Sequence, residues 1–189
     1  MSRASAIRVA FAILLALYPV VIYFGLRILP AGFFGLLLAL LLALRFGVLG
    51  TAERATAIPV FLLLLAYALL AAFTGANQLL LLYPALVNFV MALVFAASLF
   101  HGTPLLERLA EVRGMQMSAH SGGYLRKLTA VWAVFLALNA CIALWTMSRS
   151  FEFWALYNGL LSYLLIACLL GGEIVFRRYY KRRMGIVDG

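Results

Sequence analysis

From residue 128 to 147 the chain is apolar almost without interruption, and after the turn Ser148-Arg149-Ser150 it is so again from 153 to 176. A helix crossing a bilayer core takes about 20 consecutive apolar residues, with roughly 17 to 25 found in practice. The pair of runs ends in the basic cluster Arg177, Arg178, Lys181, Arg182 and Arg183. Twin apolar runs closed by cations describe a membrane helical hairpin.

The same length rule predicts an all-α, polytopic membrane bundle along the whole chain. About six transmembrane helices fit, at about 9–26, 28–44, 57–73, 79–100, 128–147 and 153–176, in a single integral membrane domain. The second run can be extended to Leu49. Composition supports the class: 67% of the residues are hydrophobic and 11% charged, against about a quarter charged in a soluble domain. A soluble protein of this make-up would expose large apolar patches. The N-terminus has the charged-then-apolar order of a signal peptide, but the run ends in Tyr-Phe-Gly-Leu-Arg with no small-residue cleavage site, so a retained first helix is expected. Arg27 and Pro30 separate the first two spans, Pro59 is expected in the first turn of the third, and Thr74-Gly75-Ala76-Asn77 turns the chain into the fourth.

The one long polar connection, 101–127, is not uniform. Thr103-Pro104 reads as an N-cap followed by proline at the first helical position. Leu105, Leu106, Leu109 and Val112 then share a face, opposite Glu107, Arg108, Glu111 and Arg113. A short amphipathic helix lying on the membrane surface with its leucines down is expected, followed by a loop from Met115 to Gly123.

A net charge of +9 would raise the question of nucleic acid in a soluble protein. Here the cations flank apolar spans, and contact with anionic head groups and setting of topology account for them better. Threading six spans places thirteen of the fifteen Lys and Arg residues on one side, including Arg45, Arg108, Arg113, Arg126, Lys127 and the tail; only Arg27 and Arg149 fall on the other. Both termini are therefore expected in the cytoplasm. The loop residues Leu105, Leu106, Leu109, Arg108, Arg113, Arg126 and Lys127 are candidates for the membrane surface or a partner protein, and Arg177, Arg178, Lys181, Arg182 and Arg183 for lipid head groups.

Polar groups inside lipid are costly unless paired. Those in the predicted spans include Asn88, Asn139, Asn158, Ser162 and Glu173, with Tyr18, Tyr83, Tyr157 and Tyr163 beside them. Asn139 lies seven residues after Trp132 and shares its face, while Ala133, Ala137 and Cys141 form a small-residue stripe on another; inter-helix bonding or substrate contact would each use such an Asn. Asn158, Ser162 and Glu173 fall on one side of the last helix. Glu173 precedes Arg177 by four residues, the spacing of a helix-stabilising pair, and is also the one acid inside an apolar span, where a proton-coupling role is the alternative. Tyr18-Pro19 and Tyr83-Pro84 would kink their helices, for packing or as hinges. The order Tyr-Pro, three apolar residues, a polar-capable residue and Phe occurs at both 18–24 and 83–89. A repeat of inverted topology would have this form, although the following spans do not align.

No catalytic set is expected. Asp188 is the sole aspartate, His101 lacks the acid four residues on that a His-x4-Asp acyltransferase needs, and His101 and His120 read as loop residues. Cys141 and Cys168 lie within apolar runs and do not combine with the histidines into a metal-ligand spacing. Neither a metal nor a cofactor is implied.

Tyr124-Leu-Arg-Lys-Leu-Thr-Ala-Val-Trp132, the Asn139 helix, Trp154-Ala-Leu-Tyr-Asn-Gly159, Tyr163 and Glu173 together resemble a family of bacterial inner-membrane proteins. Tyr83-Pro-Ala-Leu-Val-Asn88 and Pro104-Leu-Leu-Glu-Arg-Leu-Ala110 fit it as well. The resemblance implies genes placed beside acyl carrier proteins, ketosynthases and acyltransferases in clusters for aryl-polyene-type pigments or lipids. More distantly, Tyr18-Pro-Val-Val-Ile-Tyr-Phe24 and the basic loop leading into a Trp and Asn helix are similar to the intracellular septation protein A family, with a shorter spacing from Trp132 to Asn139. Neither resemblance supplies a catalytic residue. The expectation is a non-enzymatic accessory or scaffold of the inner membrane, its partners being membrane lipids and acyl-chain or envelope biosynthesis proteins. A small transporter or flippase for a lipid-linked product is the alternative, and an acyl-chain enzyme a third.

Overall fold

The computed structural model describes residues 17–47, 51–100, 102–112 and 121–183, leaving aside the side chains at 51–56, 112, 121 and 176–183. Its elements are α1 (Tyr18–Gly25), α2 (Ala31–Gly47), α3 (Thr51–Thr74), α4 (Asn77–Phe100), α5 (Leu105–Val112), α6 (Ser121–Thr146), α7 (Phe151–Leu156), a π-helical turn (Tyr157–Leu161) and α8 (Ser162–Arg183). Among the described residues all regular structure is helical, as the length and apolarity of the runs predict.

Four stretches are long and apolar enough to cross a membrane: Ala57–Thr74, Asn77–Phe100, Gly122–Thr146 and Phe151–Val175. Helix α2 is apolar but shorter, 17 residues, or about 26 Å at 1.5 Å per residue against a hydrocarbon core of about 30 Å. Only the end of the first expected span is described, as α1; residues 9–16 lie outside the described residues. Of the about six spans expected, four are helices long and apolar enough to cross a membrane; α2 is shorter, and α1 covers only the end of the first. Their outer faces carry large apolar side chains, among them Val134, Leu138, Leu164 and Val175, all at least half exposed. Such faces suit lipid better than water.

Small residues set the tightest packing. A Cβ on Gly35 would stand 2.6 Å from the Cα of Ala72, and one on Gly32 would stand 2.8 Å from the Ala72 oxygen. Helices α2 and α3 therefore approach backbone to backbone, with Ala68 and Ala71 fully buried between them. The most extensive contact joins α4 to α6. On α6 the buried positions Thr129, Ala133, Leu136, Ala140 and Ala143 recur every three or four residues. The expected stripe is corrected here: Ala133 belongs to the packed face, but Cys141 is exposed.

Several helix ends differ from the sequence reading. Helix α3 starts at Thr51, so Pro59 lies inside it and not in its first turn. Helix α6 starts at Ser121, converting Ser121-Gly-Gly from expected loop into its first turn. Ser150, the last residue of the expected turn, caps α7, its side chain accepting the Phe153 N–H at 3.3 Å.

Helix α5 is present as expected, with two of its leucines turned toward the protein. Leu105 and Leu106 pack into the protein against Ala92, Phe95, Ala133 and Leu136. Ala110 is buried and Leu109 exposed. The Leu105 N–H is accepted by Ser98 Oγ of α4 at 3.0 Å, so the cap comes from the preceding helix, not from Thr103. Arg126 Nη2 donates to the Leu99 oxygen at 2.7 Å, closing the C-terminal end of α4. Lys127 and Arg108 are exposed. Arg113, His101 and His120 lie outside the described residues, as do the side chains of Arg177, Arg178, Lys181, Arg182 and Arg183.

Candidate functional site: a polar network beside an apolar cleft

Pro84 stands inside α4 and has no N–H to give the carbonyl of Leu80. The freed oxygen is taken by the Tyr18 hydroxyl of α1 at 3.2 Å. Its neighbours are taken as well. Tyr67 of α3 donates to the Leu79 oxygen at 2.6 Å, and Trp154 Nε1 of α7 to the Leu81 oxygen at 3.0 Å. One disturbed turn of α4 thereby becomes a collar that draws three other helices around it. The two Tyr-Pro pairs noted in the sequence meet at this collar, the Tyr18 and Tyr83 rings lying 4.9 Å apart.

One helical turn beyond Pro84, Asn88 donates back to the Pro84 oxygen at 2.8 Å. Its own oxygen accepts from Asn139 Nδ2 of α6 at 2.9 Å. The same nitrogen donates to Ser162 Oγ of α8 at 2.8 Å, and the Tyr157 hydroxyl closes the group on Asn139 Oδ1 at 2.7 Å. Asn139 is 2% exposed, so nearly all its hydrogen-bonding capacity is met inside the protein. Trp132 lies on the same side of α6, packed near Phe95, as the seven-residue spacing predicts.

The π-helical turn brings α8 into this group. The Ser162 N–H reaches back five residues to the Tyr157 oxygen, and Asn158 Nδ2 serves the Trp154 oxygen at 2.9 Å while also donating to Thr146 Oγ1 at 3.1 Å. The widened turn sits against α1: a Cβ on Gly159 would stand 3.0 Å from Val20 Cγ2. Such turns inside helices are frequent at functional sites.

Beside the network lies a partly open cleft of about 520 Å³ between α1, α2, α3, α4, α6 and α8. Its wall is mainly apolar, with Leu64, Val87, Met91, Leu136 and Ile166, and it includes Tyr18, Pro19, Tyr83 and Pro84. The polar side chains facing it include Asn88, Asn158, Ser162 and Arg45. The volume falls within the range of about 300–1,000 Å³ typical of small-molecule sites, as does the mixture of apolar wall and few polar groups. Phe46 and Phe61 stack at 4.1 Å where α2 meets α3 at the Arg45 end.

The structure therefore joins Asn88, Asn139 and Ser162 in one network, with Asn158 adjoining it. Glu173 is not part of that group. It is half-buried, eleven residues beyond Ser162 on α8, about 16 Å along the axis. The expected pairing partner Arg177 has its side chain outside the described residues. From the sequence, Arg45 reads only as a topology cation. The signal that it belongs inside is that Phe46, Val48 and Leu49 continue the apolar run past it. Among the described residues no group of three or more His, Cys, Asp or Glu is placed to hold a metal ion.

No protein-family model, no curated protein and no solved structure matches this chain.

Proposed function

We propose that the protein is a six-span carrier of the bacterial cytoplasmic membrane that takes a lipid-like product into its cleft and moves it within or across the bilayer, in the service of envelope acyl-chain synthesis of the aryl-polyene kind. The observation that supports this reading most is the cleft itself: an apolar wall with Asn88, Asn158 and Ser162 set into it, bounded by six helices. A bundle needing only to stand in the membrane gains nothing from such a void, because every unfilled volume forfeits packing. The six-span threading with cytoplasmic termini is supported by Arg27 and Arg149. These are the two cations it places on the outer side, and they line one common hollow with Asn77 and Trp154.

The test is reconstitution into vesicles carrying a short-chain fluorescent acyl lipid. Wild-type protein is expected to speed its equilibration between leaflets over protein-free vesicles, and Val87→Trp, which fills the cleft, to abolish the gain. Equal rates for wild type, variant and empty vesicles would remove the carrier reading. A second reading, a scaffold for acyl-chain enzymes, is favoured by the exposed Arg108, Leu109 and Glu111 on α5, whose other face is anchored in the bundle. It requires that Leu109→Ser combined with Arg108→Glu release a co-purifying biosynthetic enzyme.

A further inference from the structure

Arg45 lies in the last turn of α2. A cation there is favoured by the helix dipole and by the cytoplasmic side of the membrane, and an arginine near a helix end ordinarily extends its head group to water. This one does not extend fully. Its Nη1 is buried and, among the described residues, is the buried side-chain polar atom that meets no hydrogen-bond partner. The residue faces the cleft. A guanidinium nitrogen removed from water with nothing to donate to is costly, because a buried polar group keeps its full desolvation penalty when unpaired. Among the described residues, those across the cleft are neutral, Asn88 and Ser162 among them, and Asn88 already accepts from Asn139. Among the described residues the wall supplies no carboxylate.

From this we infer that Arg45 is the head-group receptor of the cleft, and that its ligand is an anionic amphiphile: a carboxylate or phosphate head with an acyl tail, the anion paired with Arg45 and an acyl chain lying along Val87, Met91 and Leu136. The inference rests on the carrier reading and adds the charge of the cargo to it. Arginine suits the role because its planar fork matches two oxygens of either anion at once. Placing the anion at Arg45 also fixes the orientation of the chain, which then extends from the end of α2 toward the collar at Pro84. Two sources can provide such a molecule. One is a free acyl product with a carboxylate head, and the other a resident phospholipid with a phosphate head.

The experiment is native mass spectrometry of the full chain in a neutral detergent, titrated separately with palmitate, with phosphatidylglycerol and with uncharged monopalmitin. Wild type is expected to retain one anionic molecule about tenfold more tightly than monopalmitin, the equivalent of one charge-assisted hydrogen bond. Tighter palmitate identifies the acyl product as the cargo class, and tighter phosphatidylglycerol the resident lipid; either supports the assignment. Arg45→Gln should erase the preference for anions and leave monopalmitin retention unchanged, while Arg45→Lys, keeping charge without the fork, should retain part of it. The ligand-free melting temperature of Arg45→Gln should not fall, since no hydrogen bond of Nη1 is lost. A fall there, or an anion preference indifferent to Arg45→Gln, would overturn the inference while leaving the carrier reading standing. Retention of all three amphiphiles unaffected by Val87→Trp would instead locate binding outside the cleft and overturn both.

Discussion

At the scale of single residues, the collar at Pro84 shows how one missing donor organises its surroundings. The Leu80 oxygen would be orphaned in a non-aqueous interior, and the Tyr18 hydroxyl, 62 residues away, is positioned to meet it. Interhelical hydrogen bonds in membrane proteins contribute about 0.6 kcal/mol on average and up to about 1.7 kcal/mol, so the effect is measurable but small. Its dependence on proline gives a sharper test. Tyr18→Phe should destabilise the wild-type protein by about 1 kcal/mol. On a Pro84→Ala background, where α4 supplies its own N–H to Leu80, the same change should cost close to nothing, and thermal unfolding in detergent of the four proteins of the cycle reads the coupling. Additive effects would mean that Tyr18 is not there for that carbonyl. The sequence marks Tyr18-Pro19, Tyr83-Pro84, Asn88 and Asn139 as residues needing an account, because polar groups and prolines are rare in apolar runs. It does not pair them, since a partner many tens of residues away is set by packing and not by spacing. Arg45 was hidden for a different reason: a cation at the end of an apolar run has a sufficient explanation in topology.

At the scale of elements, backbone approach and the π-helical turn carry most of the information that periodicity lacks. The α2–α3 pair depends on positions without side chains. Gly35→Leu would drive a side chain into the Ala72 backbone, and overpacking of this kind costs about 1–3 kcal/mol or more. The variant should melt well below wild type, whereas Gly47→Ala, with open space around its Cβ position, should melt with it. Helix existence was legible because apolar length is a strong signal. Helix starts were less so. Thr51–Thr56 and Ser121–Lys127 are polar, and their inclusion in α3 and α6 lengthens both helices beyond the apolar run. The orientation of α5 was legible only as a pattern, since an apolar face is equally satisfied by lipid or by the Phe95 and Leu136 surface it meets. Nothing in the residues Tyr157 to Leu161 separates a π-helical turn from a regular one, apart from Asn158-Gly159 in the middle of an otherwise apolar helix.

At the scale of the whole molecule, the class follows from composition and the cleft follows from packing. Six helices surround a space that their apolar side chains do not close, and the network of Asn88, Asn139, Tyr157 and Ser162 fixes the wall on one side of it. The outer surface offers lipid an ordinary apolar face at Val134 and Leu144, and this provides an internal control. The central claim is that one amphiphile resides in the cleft and not merely around the bundle. A diazirine-bearing fatty acid, photolysed in membranes containing the protein and mapped by peptide mass spectrometry, tests it directly. The account predicts adducts concentrated at Val87, Met91, Leu136 and Ile166 and lost in Val87→Trp. Adducts distributed over Val134, Leu144 and the other outward positions, with none at the cleft wall, would contradict it.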